Sequence, residues 1–172
     1  MFREYIAQLV EYNKQFLIIG SLTSIGYKDI FPLIKNNKIW LGYNNGSKEY
    51  EIKNYIGNIK TFIKNEKVFT KMGNTSWLTN LTHKKRNDKL VLYEKYSEEK
   101  FPKYDNYDAI NVDKTNEIPK DYDGYMGVPI TFLDKYNPEQ FEIIRFRKGN
   151  DDKDLKINNK SLFSRIIIKR KE

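Results

Sequence analysis

The stretch FREYIAQLVEYNKQFLIIG, residues 2–20, decides how this chain begins to fold. Its apolar residues recur at spacings of three and four up to Val10, which predicts an amphipathic helix with one face against a core. Asn13 is a plausible end for that helix, because asparagine tolerates the backbone turn that follows a helix. The apolar run FLIIG at 16–20 then predicts a strand.

The next segment repeats this alternation. YKDIFPLIKNN at 27–37 predicts a short helix, with Pro32 in its first turn or at a kink, and KIWLGY at 38–43 predicts a second strand. Helices that alternate with strands are typical of the α/β class, in which crossover helices connect the strands of a sheet. We therefore expect an α/β core segment over residues 1–47.

After residue 47 the sequence changes to strand-like pieces without long helices between them. These pieces are EYEI (49–52), KVFTKM (67–72), TSWLTNL (75–81) and KLVLY (89–93). Residues 97–125 are rich in Tyr, Asp, Asn, Lys and Pro and predict a long irregular excursion. We expect residues 48–139 to form an inserted strand and loop region.

The last part of the sequence is easier to interpret. QFEIIRFRKG at 140–149 predicts a strand, the polar stretch DDKD at 151–154 predicts a loop, and 155–170 predicts a hairpin with Asn158 and Asn159 at a tight turn. No internal repeat or linker divides the chain. We therefore expect a single, partial domain over 1–172 that ends in strands and a hairpin at 140–172.

Composition restricts the classes of function. The mean hydropathy is −0.75 and the longest apolar runs are strand-sized, far below the roughly 20 residues of a membrane span. The absence of cysteine excludes a disulfide framework and a thiol nucleophile. The single histidine, His83, cannot build a zinc site without several carboxylate partners. We expect a cytoplasmic protein that uses neither a membrane nor a metal.

The formal charge of +8 favours a polyanionic partner. Lysines and arginines outnumber acids by 17 to 10 in residues 1–100 and by 10 to 5 in residues 141–172, whereas acids lead by 8 to 4 in residues 101–140. Two basic blocks thus flank an acidic middle. Codon bias is the alternative explanation, because Lys, Asn, Ile, Tyr and Phe all have A/T-rich codons.

The segment THKKRN at 82–87 is the strongest local candidate for contact with DNA. It places His83, Lys84, Lys85 and Arg86 in a turn after a strand, and a row of cationic groups can bridge successive phosphates. An ordinary solvated surface turn is the alternative. Trp77, in the preceding strand, is interpreted as a core residue because Leu78 and Leu81 surround it.

The segment KYDNYDAI at 103–110 is a second candidate. Its alternating Tyr, Asp and Asn side chains, Tyr104 and Asn106 among them, could read base edges, since Asn pairs with adenine and Asp accepts from cytosine. Such residues also build ordinary loops.

Three long strings together resemble one known family. FREYIAQLVEYNKQFLIIG (2–20), KMGNTSWLTNLTHKKRN (71–87) and the segment 101–144, which includes YDGYMGVPITFLDKYNPEQFEII, are similar to the adenine-specific DNA methyltransferases of the EcoRI type. The resemblance implies a Rossmann-like fold, S-adenosylmethionine as the cofactor and double-stranded DNA as the substrate. It also favours phosphate contact over an ordinary surface turn for residues 82–87.

Two functional loops of that family are missing from this sequence. In the family an Asn-Pro-Pro-Phe loop holds the target adenine and a glycine-rich loop binds S-adenosylmethionine, but neither Asn-Pro-Pro-Phe nor any Gly-x-Gly occurs here. We therefore assign no catalytic, cofactor-binding or metal residues. The resemblance implies that the chain is the C-terminal part of a Rossmann-like methyltransferase, starting just after the position of the Asn-Pro-Pro-Phe loop.

Three hypotheses follow. In the first, the chain is a portion of a restriction-modification enzyme that methylates adenine N6. It is inactive alone and is completed by a companion polypeptide that carries the N-terminal half. An exposed sheet edge and the apolar face of residues 2–10 would then form the interface. Alternatively, it is a non-catalytic basic DNA-binding remnant or specificity subunit. The third possibility is a basic structural protein. A metal nuclease is rejected, because Glu98-Glu99-Lys100 has no upstream Pro-Asp partner.

Overall fold

The stretch at 2–20 folds as a helix followed by a strand, as predicted. A computed structural model of the chain describes residues 2–53, 60–147 and 154–171. Helix α1 (Phe2–Glu11) buries Ile6 completely, and Asn13 follows it with a positive φ of 52° that turns the backbone toward strand β1 (Leu17–Ser21). The periodicity predicts this region well because its apolar face packs on the core of the same chain.

Strand β1 belongs to a three-stranded sheet. Helix α2 (Phe31–Lys35), which has Pro32 in its first turn, connects β1 to strand β2 (Trp40–Leu41). Both strands pair antiparallel with β6 (Thr75–Thr79), which lies between them, so β1 and β2 run parallel to each other. The sheet is thus an α/β crossover with an antiparallel strand inserted into it.

A five-stranded sheet forms the second half of the fold. Its strands are β7 (Lys103–Tyr104), β8 (Tyr107–Asn111), β9 (Met126–Pro129), β10 (Phe141–Arg147) and β13 (Arg165–Arg170). Their order is β10-β13-β9-β8-β7, with antiparallel neighbours except for the parallel pair of β8 and β9. The prediction of an irregular excursion over 97–125 was therefore wrong in part, because β7 and β8 lie inside it. Tyr104, Ala109, Ile110 and Asn111 are buried in these strands, which the polar composition of the segment conceals.

Two smaller sheets complete the described structure. The order β3-β5-β4 joins β3 (Lys48–Glu51), β5 (Lys67–Met72) and β4 (Thr61–Lys64) in a mostly exposed antiparallel sheet. Strands β11 (Lys156–Ile157) and β12 (Lys160–Ser161) form a hairpin. Asn158 and Asn159 have φ values of 51° and 62° at its turn, which confirms the predicted tight turn.

One hydrophobic cluster draws residues from both large sheets. Ile6, Ile34 and Leu78 contribute from the side of the three-stranded sheet, and Ile110 and Ile143 from the five-stranded sheet. Helix α2 packs against β10, with the rings of Phe31 and Phe146 5.4 Å apart. The mixed sheets and few helices of the described residues are consistent with the α/β class.

The predicted strand at 89–93 is wrong, although its alternation is real. Leu90 and Leu92 point toward the core, whereas the side chains of Val91 and Tyr93 are exposed. No strand pairs with this segment among the described residues. Instead, the side-chain amide of Gln140 accepts from the Leu90 N–H (2.8 Å) and donates to the Leu90 carbonyl (2.7 Å), in place of a neighbouring strand.

Candidate nucleic-acid interface

A cleft of about 440 Å³ opens where the two large sheets meet. From the three-stranded sheet it is lined by Leu22, just after β1, by Leu41 at the end of β2, and by Asn45 in the loop after β2. The other wall consists of residues 113–116, which follow β8, and residues between Pro129 and Lys135, which follow β9. The carboxyl ends of β1 and β2, which run parallel on either side of β6, and those of the parallel pair β8 and β9 therefore face this cleft. In open α/β sheets, ligands bind outside the carboxyl ends of the strands.

Asp134 holds the two walls together. Its Oδ2 accepts from Lys85 Nζ at 2.7 Å, and its Oδ1 accepts from Asn45 Nδ2 at 3.0 Å. The Oδ1 of Asn45 accepts in turn from the Trp77 N–H at 3.0 Å, which ties the loop after β2 to β6. The charge of Lys85 is therefore used within the fold to join the basic turn to the second wall.

Arg86 also acts inside the structure. Its guanidinium lies 3.9 Å from the centre of the Trp40 ring, and its NH2 donates to Asn37 Oδ1 at 3.0 Å. Burial lowers the pKa of Arg86, and the nearby Tyr136 acts in the opposite direction. A guanidinium stacked on indole is stabilised by the negative face of the ring. Arg86 thus fastens the turn to the region around β2.

His83 makes a third attachment. Its Nε2 donates to the carbonyl oxygen of Leu41 at 2.9 Å, and the Tyr43 ring meets it edge-on at 6.0 Å. Of the four predicted contact residues, only Lys84 is exposed with a side chain that makes no hydrogen bond or ion pair to the residues that the structure describes. The turn, a 3₁₀ turn over Lys84–Arg86, is therefore present, but most of its cations are bound internally.

Two lysines that the sequence did not single out lie beside this turn. Lys89 and Lys135 line a cavity of about 250 Å³ together with Lys85, and Lys135 also lines the cleft. Both side chains are exposed and have no ion pair within the described ranges. Lys135 is far from the turn in sequence, so no local pattern could reveal that the fold brings these charges together.

Tyr104 and Asn106 lie elsewhere. Tyr104 is 5% exposed, its hydroxyl donates to Asn111 Oδ1 at 2.8 Å, and burial raises its pKa. Its ring packs so closely on Gly127 that a side chain there would collide with it. Asn106 donates to the Asp154 carbonyl and accepts from the Lys156 N–H. The fold thus uses the polar atoms of both residues, and neither residue lines the cleft.

Two absences concern the described part of the chain alone. Within residues 2–53, 60–147 and 154–171, no cluster of three or more His, Asp or Glu side chains is arranged to hold a metal ion. No helix in those same ranges is both long and apolar enough to cross a membrane.

Comparison with known proteins gives one consistent result. The family described as "Adenine-specific methyltransferase EcoRI" matches residues 1–171. Type II methyltransferase M.EcoRI of Escherichia coli is 51% identical over 181 residues, covering 99% of this chain and 55% of the relative. M.MgeORF184P of Mycoplasma genitalium is 37% identical (100% and 62% covered), and M.MpnI of Mycoplasma pneumoniae is 40% identical (84% and 48% covered).

The coverage of these relatives is partial. The chain spans about half the length of the curated relatives that it matches. No solved structure matches the chain.

Proposed function

The chain belongs to the EcoRI family of adenine-specific methyltransferases, and on that premise we propose that it is the DNA-contacting portion of such an enzyme. The complete enzyme would transfer a methyl group from S-adenosylmethionine to adenine N6 in a specific duplex sequence. The observation that supports this role is the cleft, which lies at the carboxyl ends of β1, β2, β8 and β9 and has lysines at its rim.

The chain alone does not fit S-adenosylmethionine. The cleft lining includes one glycine, Gly46, and the turn that follows β1 (Leu22–Gly26) is a 3₁₀ turn without the glycine pair of a cofactor loop. We therefore propose that residues outside this sequence bind the cofactor, which supplies the methyl group. We also propose that the chain is inactive by itself.

The part of the reaction assigned to this chain is to hold the DNA. Enzymes that modify a base must extrude it from the duplex, and accurate positioning of the flanking DNA supplies much of the rate. We assign the phosphate contacts to Lys84, Lys89 and Lys135, because all three side chains are exposed, Lys84 lies on the basic turn, and Lys89 and Lys135 line the cavity beside it. His83, Lys85 and Arg86 would hold the surface in shape, through their bonds to Leu41, Asp134 and Trp40.

Salt dependence of DNA binding tests this assignment. Fluorescence anisotropy with a labelled duplex would compare the wild type with Lys84→Ala/Lys89→Ala/Lys135→Ala. Removing one phosphate interaction lowers the slope of log K against log salt by about 0.9, so we expect a decrease of roughly 2 to 3. A control that removes three exposed lysines elsewhere, Lys103→Ala/Lys160→Ala/Lys169→Ala, should retain most of the slope. Equal decreases in the two triple variants would contradict a localised surface.

A companion polypeptide is the second part of the proposal. Strand β1 pairs only with β6 in the described structure, and the side chains of Leu17 and Ile19 on it are about half exposed. An open edge with exposed apolar side chains favours the addition of another strand. The apolar face of α1, expected to join this interface, instead packs on the chain's own core through Ile6.

Complementation tests the enzymatic proposal. The chain would be mixed with the N-terminal remainder of the Escherichia coli relative, and methyl transfer from labelled S-adenosylmethionine to duplex DNA would be measured. Transfer by the mixture, but by neither part alone, is expected. Incorporation by the chain alone would overturn the assignment of the cofactor site to other residues.

A second candidate function is a non-catalytic DNA-binding remnant or specificity subunit. The observation that favours it is that the described cleft has lysines for DNA but no glycine-rich cofactor loop. Salt-sensitive DNA binding without methyl transfer in any mixture would support this candidate. Absence of DNA binding at low salt would favour the basic structural protein instead.

A further inference from the structure

We propose that Asp113 reads a base: its open carboxylate oxygen accepts a hydrogen bond from an exocyclic amine, cytosine N4 or adenine N6, of DNA that lies across the cleft. This inference rests on the proposed function, since it requires that the chain bind duplex DNA. It adds a specificity-determining residue that the basic turn does not supply.

The position of Asp113 makes the contact possible. Asp113 follows β8 directly and lines the cleft of about 440 Å³, on the wall that faces the carboxyl ends of β1 and β2. Its side chain is 69% exposed. The same cleft includes Lys135 at its rim, so a duplex whose phosphates contact that lysine would bring base edges toward the wall of Asp113.

A buried network orients this carboxylate. Asn111 is 6% exposed, and its Oδ1 accepts from the Tyr104 hydroxyl at 2.8 Å and from Arg165 Nε at 3.3 Å. Because two donors converge on that oxygen, the amide nitrogen of Asn111 must point the other way. It donates to Asp113 Oδ1 at 2.8 Å.

The network leaves one oxygen available. Asp113 Oδ1 takes the bond from Asn111 and the longer, 3.5 Å contact from Arg165, while Oδ2 has no partner among the described residues. A side chain whose orientation is fixed before binding loses less entropy when it forms a contact. Asp134, on the same wall, differs because Asn45 and Lys85 occupy both of its oxygens.

The chemistry of a carboxylate selects the ligand. An ionised aspartate only accepts hydrogen bonds, so it pairs with N–H donors and repels carbonyl oxygens. In the major groove, cytosine N4 and adenine N6 are donors, whereas guanine O6 and thymine O4 are acceptors. Asp113 should therefore favour cytosine or adenine at one position of the bound duplex and disfavour guanine and thymine there.

Selection from a randomised duplex pool tests the proposal with the full chain. Retained DNA would be sequenced for the wild type, Asp113→Asn, Asp113→Ala and the control Asp123→Asn. Asp123 is also exposed and paired with an arginine, Arg170 at 2.6 Å, but it does not line the cleft. The control therefore matches the loss of one negative charge.

The variants have different expected results. The wild type should enrich cytosine or adenine at one position, and which of the two is enriched identifies the amine. Asp113→Ala should lose that preference by about tenfold. Asp113→Asn should remove a preference for cytosine and favour adenine, because an amide pairs with adenine through both N6 and N7. The Asp123→Asn variant should select the same sequences as the wild type.

Failure of this proposal differs from failure of the proposed function. If the wild type retains duplexes but both Asp113 variants keep its base preference, or if no position shows a preference, Asp113 does not read a base. If the wild type retains no duplex even at low salt, the proposed DNA-binding function fails and the base contact fails with it. Circular dichroism of each variant checks that it is folded before selection.

Discussion

The basic turn at 82–87 and the second wall of the cleft at 113–116 differ in how much of their charge can reach a ligand. The turn has three consecutive cations after a histidine, yet His83, Lys85 and Arg86 are bound to neighbouring parts of the chain. The second wall lies in the acidic middle, yet Asp113 keeps one oxygen open toward solvent. The density of charge in a sequence therefore does not measure how much of that charge can reach a ligand.

The variant Arg86→Ala tests this comparison with the largest expected effect. The variant loses the stacking on Trp40 and the bond to Asn37, and we expect the free energy of unfolding to fall by about 2 kcal/mol. Urea denaturation followed by tryptophan fluorescence would measure it. The neighbouring variant Lys84→Ala should change stability by less than about 0.5 kcal/mol, because Lys84 is exposed. Equal destabilisation by the two variants would break the distinction between bound and available cations.

Asp134→Ala should have a smaller effect. It leaves Lys85 and Asn45 without their shared acceptor, and because the pair is about one-third exposed we expect a loss of about 1 to 2 kcal/mol. Thermal unfolding by differential scanning calorimetry would measure the change. A Lys85→Met variant, which keeps the aliphatic stem, should cost less than Asp134→Ala since the bond between Asn45 and Asp134 remains. The reverse order would show that Lys85 does not act through Asp134.

The smallest effect concerns Tyr104 and the network behind Asp113. Burial raises the pKa of Tyr104 above its unfolded value near 10, so the folded state keeps a proton that the unfolded state releases. The stability that this proton contributes is fully present below about pH 10 and decreases as the pH rises above it, by up to about 1.4 kcal/mol per pH unit. Tyr104→Phe should flatten that decrease in urea midpoints measured between about pH 9 and pH 11.

The matched control for this pH dependence is Tyr93→Phe, because the Tyr93 ring is 77% exposed in the folded chain. That variant should keep the pH slope of the wild type. Tyr104→Phe should also lower stability by about 1 kcal/mol at neutral pH, because it removes the bond to Asn111. An unchanged slope in Tyr104→Phe would mean that its hydroxyl is not held in the folded state as described.

Sequence patterns predicted those elements whose stability is local. The helix at 2–11, the short helix around Pro32 and the asparagine turn at 158–159 were all correct, because side-chain periodicity, proline geometry and positive φ act over a few residues. The strand at 89–93 was wrong because a strand needs a partner, and here the Gln140 side chain takes the partner's place. The strands at 103–111 were missed because the polar composition of the segment hides them, although β7 and β8 pair with each other as sequence neighbours and β8 also pairs with β9.

The residues of the candidate site also include some that a local sequence pattern revealed and others that it did not. The run His83–Arg86 was visible in the sequence, and the structure keeps it together on one turn. Lys135 and Asp134, which complete the lysine group and hold the walls of the cleft, had no local signal. Tyr104 was singled out for a base contact, and the structure places it in a supporting position behind Asn111 and Asp113.

The sequence by itself determined the family, the early helix–strand order and the position of the basic turn, because these follow from residue identity and short-range periodicity. Only the tertiary structure decided which charges are available. Insertion of β6 between β1 and β2, and the parallel pairing of β8 with β9, bring the carboxyl ends of these four strands to one cleft. Pairing between distant strands depends on the packing of the whole chain, so no single segment encodes where Asp113, Asp134 and Lys135 meet.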